Sequence, residues 1–195
     1  MIVYYIPLFL IFFILVLSCV FFVAILRGFF LNKFRGAPWV PLQGRDIKRL
    51  LELANLDENK VLYDLGSGDG GVLIIAAREF KVKEARGIEI SWFLHFLAKL
   101  RVKFSHLEAK IKLKRGNFFK ENLGRADVIC CYLMPEVLKN LRQKFLTELK
   151  PGTRILSFAF SIPGWTPEKV DKPTEKSSPI YIYKMRLLIN STVSP

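Results

Sequence analysis

The sequence predicts an α/β protein, an open and mainly parallel sheet with helices on both faces, behind one apolar helix long enough to span a membrane. Three observations predict it. Strand-like and helix-like patterns alternate from residue 44 onward, a glycine-rich turn follows the first strand, and residues 1–26 contain no charged side chain. The boundaries that follow are 1–27 for the transmembrane helix, 28–43 for a juxtamembrane connector and 44–195 for the folded domain.

The apolar segment comes first. From Ile2 to Leu26 the chain is Leu, Ile, Val, Phe and Tyr with small residues. At a helical rise it covers roughly 37 Å, more than the roughly 30 Å of hydrocarbon in a bilayer. Arg27, Lys33 and Arg35 follow it with no acid among them, so the positive-inside tendency puts the folded domain on the cytoplasmic side of a single-pass protein. A cleaved signal peptide fits less well, because no basic stretch precedes the apolar run.

Composition narrows the chemistry. The chain has 195 residues and a net charge of +13. Its three cysteines, Cys19, Cys130 and Cys131, form neither a disulfide framework nor a metal-type spacing. With only His95 and His106, a multi-histidine metal site is excluded, and no metal ligand set is expected.

Each element of the domain has its own signal. Pro38 and Pro41 forbid helix in the connector. Ile47, Leu50, Leu51 and Ala54 then recur at helical spacing, predicting a helix over 44–55. Residues 60–65 read as a buried strand, 72–80 as an apolar helix, 85–90 as a second strand and 92–107 as a second covering helix. Ile111 and Leu113 alternate with Lys110, Lys112 and Lys114 to give a third strand, and 126–133 gives a fourth. Pro135 suits the first turn of the next helix, which Pro151-Gly152 stops. Residues 153–160 form a fifth strand, and 180–186 alternates as the last.

The loop Asp64-Leu65-Gly66-Ser67-Gly68-Asp69-Gly70 lies between a strand and a helix, where a doubly wound sheet binds its ligand. With Gly71 it also satisfies the dinucleotide pattern G-x-G-x-x-G. Charge separates the two readings. A pyrophosphate seeks N–H groups free of nearby anions, whereas Asp64 and Asp69 flank and occupy this loop. Those carboxylates favour a ligand with a positive centre beside an amino-acid group, as S-adenosylmethionine has. Glu89, at the end of the second strand, stands where an acidic side chain accepts from ribose hydroxyls. Asn117 offers an amide to an adenine edge, or simply supplies a turn.

These residues resemble the class I S-adenosylmethionine-dependent methyltransferases over roughly 46–186. Pro38-Trp39-Val40-Pro41, Glu89-Ile90-Ser91-Trp92, Tyr132-Leu133-Met134-Pro135-Glu136 and Phe160-Ser161-Ile162-Pro163-Gly164-Trp165 narrow the match. Together with an N-terminal span they look like the small membrane-anchored protein-lysine methyltransferases that act on ATP synthase subunit c and the adenine nucleotide translocase. The resemblance implies a Rossmann-like doubly wound sheet of seven strands with an antiparallel last strand. It also implies S-adenosyl-L-methionine bound at Asp64, Gly66, Ser67, Gly68, Asp69, Gly70, Glu89 and Asn117. The target lysine of a membrane-associated protein would enter near Tyr132, Pro135 and Glu136, with Trp39, Pro41 and Trp165 around it. Gly71 departs from the family, which usually has a basic residue there.

For a lysine acceptor, Tyr132 and Glu136 are the candidates to orient or deprotonate the amine. Tyr132 has the alternative of closing a strand, and Glu136 of favouring a helix N-terminus. Trp39 is equally suited to a membrane interface, and Trp165 to packing the sheet edge. Cys130 and Cys131 read as small core residues. The basic run Lys99 to Arg115 suits an anionic membrane surface. Nucleic acid is disfavoured, since Tyr132-Leu133-Met134-Pro135 lacks the Asp/Asn-Pro-Pro-Tyr/Phe motif of many nucleobase methyltransferases. A lipid, quinone or other small-molecule acceptor and a non-catalytic binding protein stay open as alternatives.

Overall fold

Residues 5–33 and 40–186 are described in the computed structural model of the chain. They fall into two compact units, 1–39 and 40–195. The first contains α1, Tyr5–Lys33. Side chains are described in it at Pro7 and over 9–24, all exposed. Among the described residues no helix is long and apolar enough to cross a membrane.

The second unit is a seven-stranded sheet in the order β3-β2-β1-β4-β5-β7-β6. Its elements are α2 (Gly44–Glu52), β1 (Val61–Leu65), α3 (Gly71–Glu79), β2 (Glu84–Glu89), α4 (Trp92–Phe104), β3 (Ile111–Arg115), β4 (Val128–Cys131), α5 (Pro135–Glu148), β5 (Arg154–Phe158), β6 (Lys169–Asp171) and β7 (Ile180–Lys184). Strands β1 to β5 run parallel. β7 is antiparallel to β5, and β6 is antiparallel to β7. Reversal of strand order at β1 and β4 leaves a crevice beyond their carboxyl ends.

All five positions of β1 and all four of β4 are buried, as expected for central strands covered on both faces. On one face Leu50 and Leu51 of α2, Leu73 and Ala76 of α3 and Val102 of α4 pack over Leu62, Ala85, Ile111 and Cys130. On the other, Leu138, Leu141 and Phe145 of α5 cover Tyr63, Leu65, Ile129 and Ile155. Each such Leu or Phe contributes roughly 1.5–3 kcal/mol of apolar burial. The thiols belong to this core: Cys131 donates to the Leu156 carbonyl at 3.6 Å, and burial pushes its pKa up to about 12.

The expected elements form, and the differences have local causes. The fourth strand is shorter than the apolar run 126–133. At its start the Asp127 side chain accepts the Val61 N–H at 2.8 Å and pairs with Lys150 at 2.7 Å, while Tyr132 and Leu133 lie outside the strand at the other end. β6 carries no periodic signal. It is an exposed three-residue edge strand, continued by the Glu168 N–H donating to the Ile182 carbonyl at 2.7 Å and tied to α2 through Asp171 and Arg49 at 3.5 Å. Short, charged edges of this kind resist pairing with other chains.

Gly87 shows how closely β2 is packed. A Cβ there would lie 2.5 Å from Leu73 Cδ1 and 2.6 Å from Ser67 Oγ. Gly87→Ala is expected to lose about 1–3 kcal/mol of stability in urea denaturation. Unchanged stability would mean that α3 and the loop shift freely.

Candidate active site

Five loops meet at the carboxyl edge of the parallel strands, and they carry most of the expected site residues. The first is the turn from β1 to α3. Its entry is fixed by the Gly66 and Ser67 N–H groups, which both donate to the Ile88 carbonyl, at 2.9 and 3.2 Å. Gly66 has φ +78° and Gly70 φ +80°, left-handed values that favour glycine. A Cβ on Gly66 would sit 3.3 Å from Leu133, and one on Gly70 would sit 3.3 Å from the Ala98 Cβ. The backbone therefore runs as a bare cradle between the β4 loop and α4.

Glu89 ends β2 and is buried. One carboxylate oxygen accepts the Gly68 N–H at 2.9 Å, and the other accepts the Ser91 N–H at 2.8 Å. A carboxylate has about four lone-pair sites, so both oxygens keep acceptor capacity. Asp64 is buried at the end of β1, and its pKa is raised to about 7 by desolvation, then by the charges of Glu89 and Asp69. Asp69 is differently placed. Its carboxylate pairs with Arg101 of α4 and accepts the Gly71 N–H at 3.3 Å, so the guanidinium already offsets much of the negative charge expected from it. Arg101 also donates to the Asp69 carbonyl at 3.2 Å, acting as a strut from α4 to the loop. It lies 32 residues from its partner, and no spacing rule links them.

Asn117 follows β3 and caps a three-residue 3-10 helix, Phe118–Lys120, by accepting the Phe119 N–H at 3.0 Å. The turn role is thus present, and the amide NH2 keeps its two donors. After β4, Tyr132 is half-buried, with its ring 5.1 Å from Phe158 at 75° and 6.3 Å from Phe160 at 21°. Pro135 is half-buried at the start of α5, and Glu136 is exposed in its first turn. Pro41 is exposed ahead of α2. Trp39 lies outside the described residues.

Trp165 departs from its expected place at the substrate entrance. It packs 6.3 Å from Phe145 and 6.0 Å from Tyr183, and Tyr183 pairs with Ile155 near the amino end of β5. The tyrosine hydroxyl accepts the Ile162 N–H at 2.8 Å and holds the Pro/Gly segment down on the α5 face. A cleft of about 510 Å3 lies at that same end, beside Gly164, Trp165, Lys184 and Arg186. It touches none of the carboxylates at the loop, so the chemistry is assigned by the residues and not by cavity size.

The sequence pattern gave no site role to Phe158, inside an apolar strand, or to Phe160, at the head of the Pro/Gly/Trp segment. The chain leaves β5 after Phe158 through Ala159, at φ +66°, and the Ser157 hydroxyl donates to the Phe160 carbonyl at 2.6 Å. Together with Tyr132 the two phenylalanines make an aromatic cluster in which Phe158 is buried and Tyr132 half-buried. No group of His, Cys, Asp and Glu suited to a metal occurs among the described residues.

The site has the charge and the polar groups for a cationic, sugar-bearing ligand. Ser67 Oγ is buried without a partner among the described residues, the loop is a cradle that side chains would fill, and Asp64 and Glu89 lie within electrostatic reach of each other. Asp64 binds more protons in the folded than in the unfolded state below pH 7, so the folded state loses stability as pH rises from 3.8 towards about 7. Asp64→Asn is therefore expected to unfold at higher temperature than the parent at pH 8 and at a similar temperature at pH 4, while ligand affinity falls. A gain that is independent of pH would contradict the raised pKa.

Comparison with known proteins agrees with this geometry. The family model of the ANTKMT methyltransferase domain matches residues 64–169. A protein-lysine N-methyltransferase of Saccharolobus islandicus (strain REY15A) is 35% identical over 148 residues, 75% of this chain and 92% of its own. The adenine nucleotide translocase lysine N-methyltransferase of Mus musculus is 32% identical over 133 residues, 68% of this chain and 57% of its own. The chain thus spans nearly all of the archaeal relative and little more than half of the mouse one. A crystal structure described as an RNA methyltransferase from Salinibacter ruber with S-adenosyl-L-homocysteine superposes with a TM-score of 0.74 at 33% identity, covering 80% of this chain and 100% of that one. The chain belongs to the ANTKMT methyltransferase domain family and is an S-adenosylmethionine-dependent methyltransferase.

Proposed function

We propose that the protein is a membrane-tethered protein-lysine N-methyltransferase with its catalytic domain on the cytoplasmic side, acting on a membrane or membrane-adjacent protein. The observation that carries this reading is an aromatic cluster of Tyr132, Phe158 and Phe160 at the same sheet edge as a carboxylate-bearing glycine loop. The names of the archaeal and mouse relatives support lysine as the acceptor. Support for the tether comes from the uncharged sequence of residues 1–26 and the Arg27, Lys33 and Arg35 that follow.

S-adenosylmethionine supplies a methyl group on a sulfonium centre. The chain's residues do the rest. The backbone of Gly66, Ser67, Gly68 and Gly70 forms the cradle, with Ser67 Oγ as a free polar group in it. Asp64 meets the ligand's positive charge, Glu89 accepts from ribose hydroxyls with its spare lone pairs, and Asn117 donates to the base. Asp69 holds the loop to α4 through Arg101.

A lysine amine with an ordinary pKa of ~10.4 is protonated at neutral pH and cannot attack. Desolvation between the rings of Tyr132, Phe158 and Phe160 disfavours the ammonium form. Tyr132 Oη and the Glu136 carboxylate then orient the amine or take its proton.

A second reading is favoured by one observation: the Salinibacter ruber protein is described as acting on RNA. Incubation of the full chain with tritiated S-adenosylmethionine and a membrane fraction, followed by separate recovery of protein, RNA and lipid, distinguishes them. Label recovered as methyl-lysine is expected. Label in RNA or in lipid and quinone extracts would replace the acceptor, and no label in any fraction would leave a binding protein.

Three variants test the site. Gly66→Arg is expected to abolish S-adenosylmethionine binding in calorimetry while the far-UV spectrum is retained. Tyr132→Phe and Glu136→Gln should keep cofactor affinity, and the variant lacking the proton acceptor should lose roughly 10²-fold in kcat. Full activity in both would remove these residues from the mechanism.

A further inference from the structure

Helix α4 has two unlike faces. Leu94, His95, Ala98 and Val102 are buried against the sheet. The opposite face carries Trp92, Phe93, Phe96, Leu100 and Phe104, exposed at 64%, 56%, 52%, 36% and 80%. A surface helix ordinarily places polar residues there, and a contiguous exposed apolar face marks an interaction site. Along its edge stand the exposed Lys99 and Lys103, with the exposed Arg115 at the end of β3, the strand on which α4 packs. Residues 91–107 contain no acid.

That combination selects the partner. A second copy docked through this face would bring four lysines around one apolar contact with no acid on either helix to meet them. A bilayer bearing anionic lipid supplies both an apolar layer for the rings and phosphate or carboxylate groups for the rim. We propose that the outer face of α4 docks into the headgroup region of an anionic membrane, with Trp92, Phe93, Phe96 and Phe104 reaching the acyl boundary and Lys99 and Lys103 pairing with lipid headgroups. The inference deepens the membrane-adjacent reading of the proposed function and rests on it, while standing apart from the N-terminal tether. It also has a consequence for the acceptor. Trp92 follows Ser91, whose N–H is held by Glu89 at 2.8 Å, so docking brings the catalytic edge of the sheet close to the bilayer surface and to lysines emerging from it.

The test uses the full chain with phosphatidylcholine vesicles containing or lacking phosphatidylserine, each made with bromolipids that quench tryptophan on contact. Flotation is recorded in parallel at low and high salt. The expected result is a quenched component of the emission that requires phosphatidylserine, disappears in Trp92→Phe and falls at least about twofold in Lys99→Glu/Lys103→Glu. Phe96→Ser/Phe104→Ser should lose the same component while keeping cofactor affinity, which shows that the domain is folded. Equal quenching of the parent and Trp92→Phe in a chain that still floats overturns α4 docking and leaves the tether intact. Flotation at low salt that is lost at high salt, with Trp92 quenched, removes the tether and supports the docking face. A lipid-free dimer dissociated by Phe96→Asp would assign the face to self-association and overturn the proposal.

Discussion

The Glu89 carboxylate accepts the Gly68 N–H through one oxygen and the Ser91 N–H through the other, and the arrangement of the catalytic edge follows from this. Gly68 is the middle of the loop, and Ser91 is the cap of α4, whose side chain accepts the Leu94 N–H at 3.4 Å. One buried side chain thus joins three elements: the end of β2, the turn into α3 and the start of α4. Charge-assisted hydrogen bonds from backbone N–H to a carboxylate are among the stronger ones in proteins. They place the loop where its glycines are needed, between Leu133 and Ala98.

Electrostatics at this edge is deliberately unbalanced. Asp69 has Arg101 as a partner, while burial and neighbouring anions push Asp64 up to about 7. A cationic ligand relieves that repulsion, and a pyrophosphate would add to it. Arg101 therefore serves geometry by bracing the loop, and Asp64 with Glu89 supplies the field that selects the ligand. The same helix that provides Arg101 turns its aromatic side outward, so loop position and surface chemistry are coupled through α4.

Much of the domain was legible because local patterns and tertiary demands coincide. The continuous apolar runs of β1 and β4 mark strands covered on both faces, and the helical spacing of Ile47, Leu50 and Leu51 marks a core stripe. The loop was legible because an acidic, glycine-rich turn after a buried strand has few other uses. Three things were not. β6 has three residues, two of them exposed, and pairs only with β7 in the sheet. Arg101 meets Asp69 only after α4 folds back across the sheet. Trp165 sits in a segment whose prolines and glycine gave no direction, and the Tyr183 hydroxyl drew it onto α5 and away from the Tyr132 cluster.

The sequence by itself determined the order of strands and helices, the place of the cofactor loop and the identity of its carboxylates, because these depend on contacts among near neighbours and on a binary apolar pattern. Only the tertiary structure decided which carboxylate is paired and which is left with a raised pKa, which aromatics gather around Tyr132, and which face of α4 is left bare. Those outcomes depend on side chains separated by tens of residues that meet only when the parallel strands bring their carboxyl ends to one edge.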